Sequence, residues 1–181
     1  MSAQKIVRII EVVPHNVHWA EDYRYEADKI EQIFGEEMLE IHHIGSTSIP
    51  GIYAKPTIDF LAGVKDIRRV DSFNVEMEKL GYQAWGEYGI PGRRYFVKGL
   101  IHRTHQIHIF QSGDPQIARH LNFRDYMRAH PAEAKQYEAL KIELARRFRY
   151  NIDGYSDGKD AFIQEMDRRA ADWVKRGRVE A

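Results

Sequence analysis

The pattern of hydrophobic residues changes near residue 113, and this change limits the folds that are open to the chain. Before it, short apolar runs of strand length alternate with turns rich in glycine and proline. After it, apolar residues recur at helical spacing almost to the end of the sequence. The pattern predicts an α+β protein with a sheet-rich core over about 1–112 and a helical part over about 113–181.

Composition is that of a globular protein. The 181 residues are 43% hydrophobic and 30% charged, and none is cysteine. At roughly 150 residues per domain, this length predicts one domain, large enough to bury a core without disulfides or metals. The lack of cysteine excludes thiolate chemistry and Cys-ligated zinc or iron–sulfur sites.

Charge and hydropathy limit the expected partners. The 27 basic residues equal the 27 acidic residues in number, which argues against a broad nucleic-acid-binding surface. No apolar run approaches the roughly 20 residues that span a bilayer. The N-terminal residues do not have the pattern of a signal peptide. We therefore expect a cytoplasmic protein that does not enter a membrane.

Apolar spacing and turn residues predict the individual elements. Strands are expected over 38–44, 57–64, 82–87, 93–98 and 104–110. Residues 6–13 are expected to form a strand or an extended lead-in that stops at Pro14. Helices are expected over 19–34, 67–80, 115–129, 131–148 and about 159–176. A loop that contains Gly154 and Gly158 is expected before the last helix.

The stretch Ile44–Gly51 has small polar residues at a sharp turn after a predicted strand. Gly45 permits a tight bend, and Ser46, Thr47 and Ser48 offer hydroxyls beside backbone N–H groups. Such a turn can bind an anion if a helix begins there. It can equally be an ordinary capped junction between a strand and a helix, and this stretch alone favours the capped junction.

The next predicted strand adds a lysine and an acid. Lys55 precedes it, and Asp59 must point away from the core if Ile58 and Phe60 point into it. A Gly-Ser turn, a lysine and an acid on adjacent elements favour a site for nucleotide phosphates and a divalent metal, Mg²⁺ or Mn²⁺. Mg²⁺ usually has a second carboxylate ligand, and this strand carries one acid.

Histidines are concentrated on the strand expected over 104–110. His108 shares a face with Gln106, and His105 lies on the other side. Such a strand can bind a transition metal or supply a general base near neutral pH, but half-buried sheet histidines are common as well. The predicted catalytic residues are Asp59 and His108, and the predicted metal ligands are Asp59, His108 and His105.

Basic residues complete the candidate site. Arginine suits the recognition of phosphate through paired hydrogen bonds, whereas charges on a hairpin often form only its solvated face. The predicted phosphate or nucleotide ligands are Gly45, Ser46, Thr47, Ser48, Lys55, Arg93, Arg94, Arg103 and Lys159.

Several blocks of sequence together resemble one family. They run in matching order from about Val13 to Phe162 and read IHHIGSTSIPGIYAKPTIDFLAGV, GIPGRRYFVK, RTHQIHIF, RHLNFRDYMRAHPAEAKQYEALK and YSDGKDAFI. On these blocks the chain resembles the GrpB family, which is assigned to the nucleotidyltransferase superfamily. The resemblance implies a small mixed sheet flanked by helices, with a helical C-terminal extension.

The resemblance also implies a site, in which a Gly-Ser turn holds a triphosphate and carboxylates bind two divalent metals. Carried over by residue, the turn falls on Gly45 and Ser46 and the first carboxylate on Asp59. The expected second acid is Leu61 here, and the strand expected to carry a third reads Gln106-Ile107-His108. Two Mg²⁺ ions need several shared carboxylate oxygens, so one aspartate cannot hold both.

Three arrangements stay open at this point. One metal suffices, with His108 as ligand or base; or the site binds a nucleotide without transferring it; or a distant acid such as Glu87 completes it. We expect a nucleotidyltransferase-like protein that binds a nucleoside triphosphate or related phospholigand and transfers a nucleotidyl group with a divalent metal. The alternatives are a non-catalytic, regulatory phospholigand-binding module and a metal-dependent enzyme of other chemistry built on histidine and aspartate.

The expected partners are a nucleotide or phosphorylated small molecule, a second copy of the chain, and a metabolic kinase. The last follows from the resemblance, because in some relatives a domain of this type is fused to dephospho-coenzyme A kinase.

Overall fold

The computed structural model describes residues 9–178. The strand or extended lead-in expected over 6–13 lies partly outside this range. Within the range, residues 9–12 form no strand, and Val13 makes an isolated antiparallel bridge with Ala54. Of the two expected forms, the described part is therefore a lead-in before Pro14 and not a strand.

Helices and strands follow one another largely as the apolar spacing predicts. The helices of the described range are α1 (Trp19–Phe34), α2 (Asn74–Lys79), α3 (Pro115–Ala129), α4 (Pro131–Arg147) and α5 (Ile152–Lys175). The strands are β1 (Met38–Ile44), β2 (Ile58–Val64), β3 (Tyr82–Ala84), β4 (Arg94–Lys98) and β5 (His105–Gln111). Short 3₁₀ helices occupy Gly35–Glu37, Ser46–Ser48 and Ile67–Phe73. None of the helices in the described range has the length and apolar character needed to cross a membrane.

The strands form one mixed sheet in the order β1-β2-β5-β4-β3. β2 and β5 are parallel, and the other neighbouring strands are antiparallel. Asp59 pairs with Ile44 of β1 on one side and with Gln106 of β5 on the other. The end of β1 and the starts of β2 and β5 therefore meet at the same end of the sheet. The predicted α+β class, with a mixed sheet, flanking helices and a helical C-terminal part, is confirmed.

Different helices cover the two faces of the sheet. Phe60 and Ile107 lie in a core with residues of α1 and α2, whereas Leu61 and Phe110 pack against Ile117 of α3. α4 and α5 pack on α3 and on each other. Because side chains alternate along a strand, Asp59 lies on the same face as Leu61, towards α3.

The last helix begins earlier than predicted, and the loop expected around Gly154 and Gly158 is wrong. Asn151 caps α5 by accepting a hydrogen bond from the Gly154 N–H (3.0 Å). A Cβ at Gly154 would lie 2.6 Å from Cδ1 of Phe148, and one at Gly158 would lie 2.5 Å from Cδ2 of Leu144. These glycines permit close packing between α5 and the end of α4, and they do not form a loop.

The segment expected to form one helix over 67–80 forms two short helices of different types. It consists of the 3₁₀ helix Ile67–Phe73 followed by the short α2. Asp66 caps its start by accepting a hydrogen bond from the Arg68 N–H (3.0 Å). β3 ends at Ala84, three residues before the predicted end of that strand.

Candidate functional site

The turn after β1 lies against Asp59. Gly45 has a φ of 68°, in the left-handed region that favours glycine. A Cβ at this position would lie 2.3 Å from Oδ2 of Asp59 and 2.9 Å from its Cγ. A side chain here would be strained and would collide with the carboxylate, so the position requires glycine. The structure brings together the turn and the acid that the sequence singles out.

Two of the three hydroxyls in this turn donate hydrogen bonds to backbone carbonyls of the protein itself. The Ser48 hydroxyl donates to the carbonyl of Gly45 (2.7 Å). The Thr47 hydroxyl donates to the carbonyl of Thr57 (3.3 Å) and therefore accepts from Nε2 of His43 (2.9 Å). Thr47 and Ser48 are both buried, so neither hydroxyl faces a ligand, contrary to the prediction.

The third hydroxyl, that of Ser46, connects the turn to the helical part. Ser46 is half-buried and lies beside the hydroxyl of Tyr137 in α4. Burial raises the pKa of Tyr137 to about 12, so its phenol stays protonated and can donate a hydrogen bond. Ile49 and Ile52, which follow the turn, pack in a core shared with α3, α4 and α5. The helices thus fix the position of the turn.

Three predicted basic residues surround Asp59. Burial raises the pKa of its carboxyl from 3.8 to about 6, while the charges of Lys55, Lys159 and Arg103 oppose that rise. The carboxyl of Asp59 is thus affected both by its burial and by the charges of three basic residues. The guanidinium of Arg103 also lies 4.7 Å from the ring centroid of Trp85, which helps to hold it on this side of the sheet.

A further lysine, Lys141 of α4, is absent from the predicted set. It is 1% exposed, and its Nζ donates to the carbonyl of Tyr53 (2.5 Å). Burial lowers its pKa to about 7, and repulsion from Lys159 and Lys55 acts in the same direction. We call Lys55, Lys141 and Lys159 the lysine cluster. Lys141 lies on the buried face of α4 with Tyr137 and Leu144. In the sequence, it can be recognised as a lysine at a position where helical spacing predicts an apolar residue.

Tyrosine rings line the lysine cluster. Nζ of Lys159 lies 4.5 Å from the ring centroid of Tyr155, and Nζ of Lys55 lies 5.3 Å from the same centroid. Nζ of Lys141 lies 4.6 Å from the ring centroid of Tyr137. Such cation–π contacts help to hold the ammonium groups in place.

His108 and Arg93 belong to a separate cluster on the same face of the sheet. The buried guanidinium of Arg93 donates to the carbonyls of Glu87 (3.2 Å) and Tyr88 (2.7 Å) and to Nδ1 of His108 (3.1 Å). Burial holds the pKa of His108 well below its usual value, and the charges of His120 and Arg93 act in the same direction. Arg93 therefore clamps the loop before β4, and its contact occupies Nδ1 of His108. Neither arrangement fits the predicted phosphate and metal roles.

Two other predicted site residues lie on the opposite face of the sheet. The ring of His105 packs near those of Phe60 (5.9 Å between centroids) and Tyr82 (6.3 Å). Nε of Arg94 pairs with Oδ1 of Asp71 at 2.8 Å. Because Asp59 lies on the α3 face, the structure does not bring the predicted site residues His105 and Arg94 together with it.

The residues around Asp59 do not fit the two divalent metals that the resemblance implies. Leu61 follows on the same face, and Gln106 is the β5 partner of Asp59. Glu87 is exposed, and its carboxylate accepts a backbone hydrogen bond from its own loop (2.7 Å). Across residues 9–178, no group of three or more His, Asp or Glu side chains is placed to hold a metal ion.

Comparisons with known proteins agree with the resemblance. The family described as GrpB protein matches residues 9–169. The UPF0157 protein YqkA of Bacillus subtilis (strain 168) is 47% identical over 174 residues, which cover 96% of this chain and 50% of that protein. The chain thus spans half the length of YqkA. The glutamate-rich protein GrpB of Alkalihalophilus pseudofirmus is 34% identical over 160 residues, 86% of this chain and 92% of that protein.

The fold is also similar to that of a solved relative. The crystal structure of the conserved protein GrpB from Enterococcus faecalis superposes with a TM-score of 0.85 at 45% sequence identity. The match covers 88% of this chain and 96% of that one. Sequence and structure together establish that the chain belongs to the GrpB family.

Proposed function

We propose that this protein binds a nucleotide or another phosphorylated small molecule between the Gly45–Ser46 turn and the lysine cluster. One observation carries the proposal: Nζ of Lys55 and Nζ of Lys159 lie over the same ring, 5.3 and 4.5 Å from the centroid of Tyr155. Their charges, with that of Arg103, also oppose the rise in the pKa of the Asp59 carboxyl. Lys55 and Asp59 are close in the sequence, but Arg103 and Lys159 come from two other parts of the chain, so a local charge run does not explain their meeting. A phosphate group is the common biological anion that such a set of donors recognises.

The charges inside the site favour an anionic ligand. Lys159 and Lys55 repel the ammonium of Lys141 and help to hold its pKa near 7. Glu138, the acid that acts on Lys141, already accepts hydrogen bonds from Lys135 (3.0 Å) and from the Tyr53 N–H (2.6 Å). A phosphate would offset the repulsion among the lysines in a partly desolvated place, where such attraction is strong.

The neutral donors of the site suit the same ligand. The hydroxyls of Ser46 and Tyr137 adjoin each other, and both can donate to phosphate oxygens. Asp59 offsets part of the positive charge near the ligand. The lysines and hydroxyls bind the phosphates, and none of these residues is required to break a bond.

Binding without transfer is the function that these residues support best. The resemblance implies a metal-dependent nucleotidyl transfer, but the donor set around Asp59 does not fit two metal ions. The regulatory, non-catalytic alternative is therefore favoured over transfer. Homodimer formation and contact with a metabolic kinase stay predictions.

Calorimetric titration with ATP and with inorganic triphosphate tests the proposal. The double variant Lys55→Gln/Lys159→Gln should weaken binding by roughly tenfold or more, because each charge-assisted hydrogen bond contributes about 1.5–3 kcal/mol. The matched control is Lys175→Gln, an exposed lysine at the end of α5, which should leave the affinity unchanged. Equal affinities for the wild type and the double variant would place the ligand elsewhere.

Incubation with α-labelled nucleoside triphosphates and cell extract separates binding from transfer. We expect no labelled acceptor. A labelled acceptor that the double variant fails to produce would show that the protein is a transferase.

A further inference from the structure

We infer that the lysine cluster stands in for the metal ions of the nucleotidyltransferase site, so that this protein holds a polyphosphate without a divalent cation. The inference rests on the proposed function and identifies the lysines as the groups that neutralise the charge of the ligand. The ligand is an anion with two or more phosphate groups, and it binds without a metal ion.

The first support is the placement of cations around the one acid that could have bound a metal. Nζ of Lys55 and Nζ of Lys159 lie 5.3 and 4.5 Å from the ring centroid of Tyr155, and their charges, with that of Arg103, oppose the rise in the pKa of the Asp59 carboxyl that burial causes. A divalent cation on this carboxylate would lie within reach of the same three charges and would be repelled by them. The site therefore disfavours a metal at Asp59 and favours an anion beside it.

The second support is the chemistry of the positions that would complete a metal site. Leu61 has no donor atom, and the side-chain oxygen of Gln106 already accepts a hydrogen bond from the Tyr95 hydroxyl. Nδ1 of His108 accepts from the Arg93 guanidinium (3.1 Å). These three positions therefore offer a metal no carboxylate ligand.

The third support is the origin of the cations. Lys55 precedes β2, Lys141 lies on α4 and Lys159 lies on α5, so three elements converge to place them. Lys141 is buried and close enough to the other two lysines to be affected by their charges. The charges of Lys55 and Lys159, with the charge that Lys141 gains when an anion raises its pKa, suit a ligand with several negative charges.

Titration with inorganic triphosphate, in EDTA and then in excess Mg²⁺, tests the inference. We expect binding in EDTA that is as tight as in Mg²⁺ or several-fold tighter, because Mg²⁺ neutralises the phosphate charge that the lysines recognise. Binding that occurs only with Mg²⁺ would overturn the inference and leave the proposed function standing. No binding in either buffer would overturn both.

The variant Asp59→Asn distinguishes the two roles of this residue. If lysines hold the phosphates, removal of a negative charge should tighten the EDTA affinity or leave it within about twofold, since asparagine keeps the shape of the side chain. If Asp59 binds a metal that holds the phosphates, the variant should lose Mg²⁺-dependent binding. An unchanged melting temperature is the control for folding, and Lys55→Gln should weaken binding in EDTA.

Discussion

The backbone of Gly45 lies against the carboxylate of Asp59, so closely that a Cβ at position 45 would stand 2.3 Å from Oδ2. The antiparallel pairing of β1 with β2 produces this contact, because Ile44 is opposite Asp59. A turn and an acid that are fourteen residues apart in the sequence thus form one wall of the candidate site.

The Gly45–Asp59 contact predicts that Gly45→Ala destabilises the protein by about 2–3 kcal/mol, since a strained φ and a steric collision act together. Urea denaturation measures the change. Gly51→Ala is the matched control: Gly51 has a similar φ of 76° but no heavy atom within 4 Å of a Cβ at its position. Equal losses in the two variants would mean that the contact with Asp59 contributes nothing.

Burial of Lys141 predicts a pH-dependent stability. Its folded-state pKa is about 7 against an ordinary value of 10.5, so between these values the unfolded chain binds more protons and stability rises with pH. Below pH 7 the amine is charged in both states, and the destabilisation is complete. In Lys141→Met this contribution is absent.

The difference in unfolding free energy between Lys141→Met and the wild type should therefore be largest below pH 7. From there towards pH 10.5 it should fall by up to about 1.4 kcal/mol per pH unit. The lost hydrogen bond to Tyr53 adds an offset that does not depend on pH. Urea denaturation across this range measures the slope, and a constant difference would contradict the burial of a titrating amine.

Anion binding should draw protons into the site. A phosphate beside the lysine cluster raises the pKa of Lys141, so binding near pH 7 should take up a fraction of a proton, and affinity should fall as pH rises above 7. Calorimetry in buffers of different ionisation enthalpy counts the protons. Lys141→Met should take up fewer protons than the wild type at pH 7 and above. Identical uptake would mean that the ligand does not change the pKa of Lys141.

His108 should be dispensable for ligand binding. Its ring is held by Arg93 in a cluster distinct from the lysine cluster, so His108→Gln should change the triphosphate affinity by no more than about twofold. We expect a loss of stability of about 1–2 kcal/mol from the broken contact with the guanidinium. A large loss of affinity in a variant with a near-native melting temperature would show that His108 contributes to ligand binding.

The sequence predicts the framework of the site because strand alternation and turn chemistry are local. Ile58 and Phe60 face one core. Because side chains alternate along a strand, the side chain of Asp59 must point to the opposite face, which α3 covers. The need for a sharp turn at Gly45 follows from its place after an apolar strand. These features depend on nearest neighbours along the chain, and they are present in the structure.

Other parts of the site depend on tertiary contacts that local patterns do not contain. Thr47 and Ser48 look like free hydroxyls in the sequence, but their acceptors are backbone carbonyls that only the folded turn supplies. Gly158 looks like a loop residue, although it serves the packing of α5 on Leu144. Lys141 joins the cluster through helix packing, so its role becomes visible once α4 is placed.

A crystal structure grown with inorganic triphosphate in EDTA would show where the anion binds and whether it binds without a metal. We expect phosphate density beside Ser46, within hydrogen-bonding distance of the ammonium groups of Lys55 and Lys159. Triphosphate bound at another surface, with the space between these three side chains filled only by solvent, would contradict this expectation.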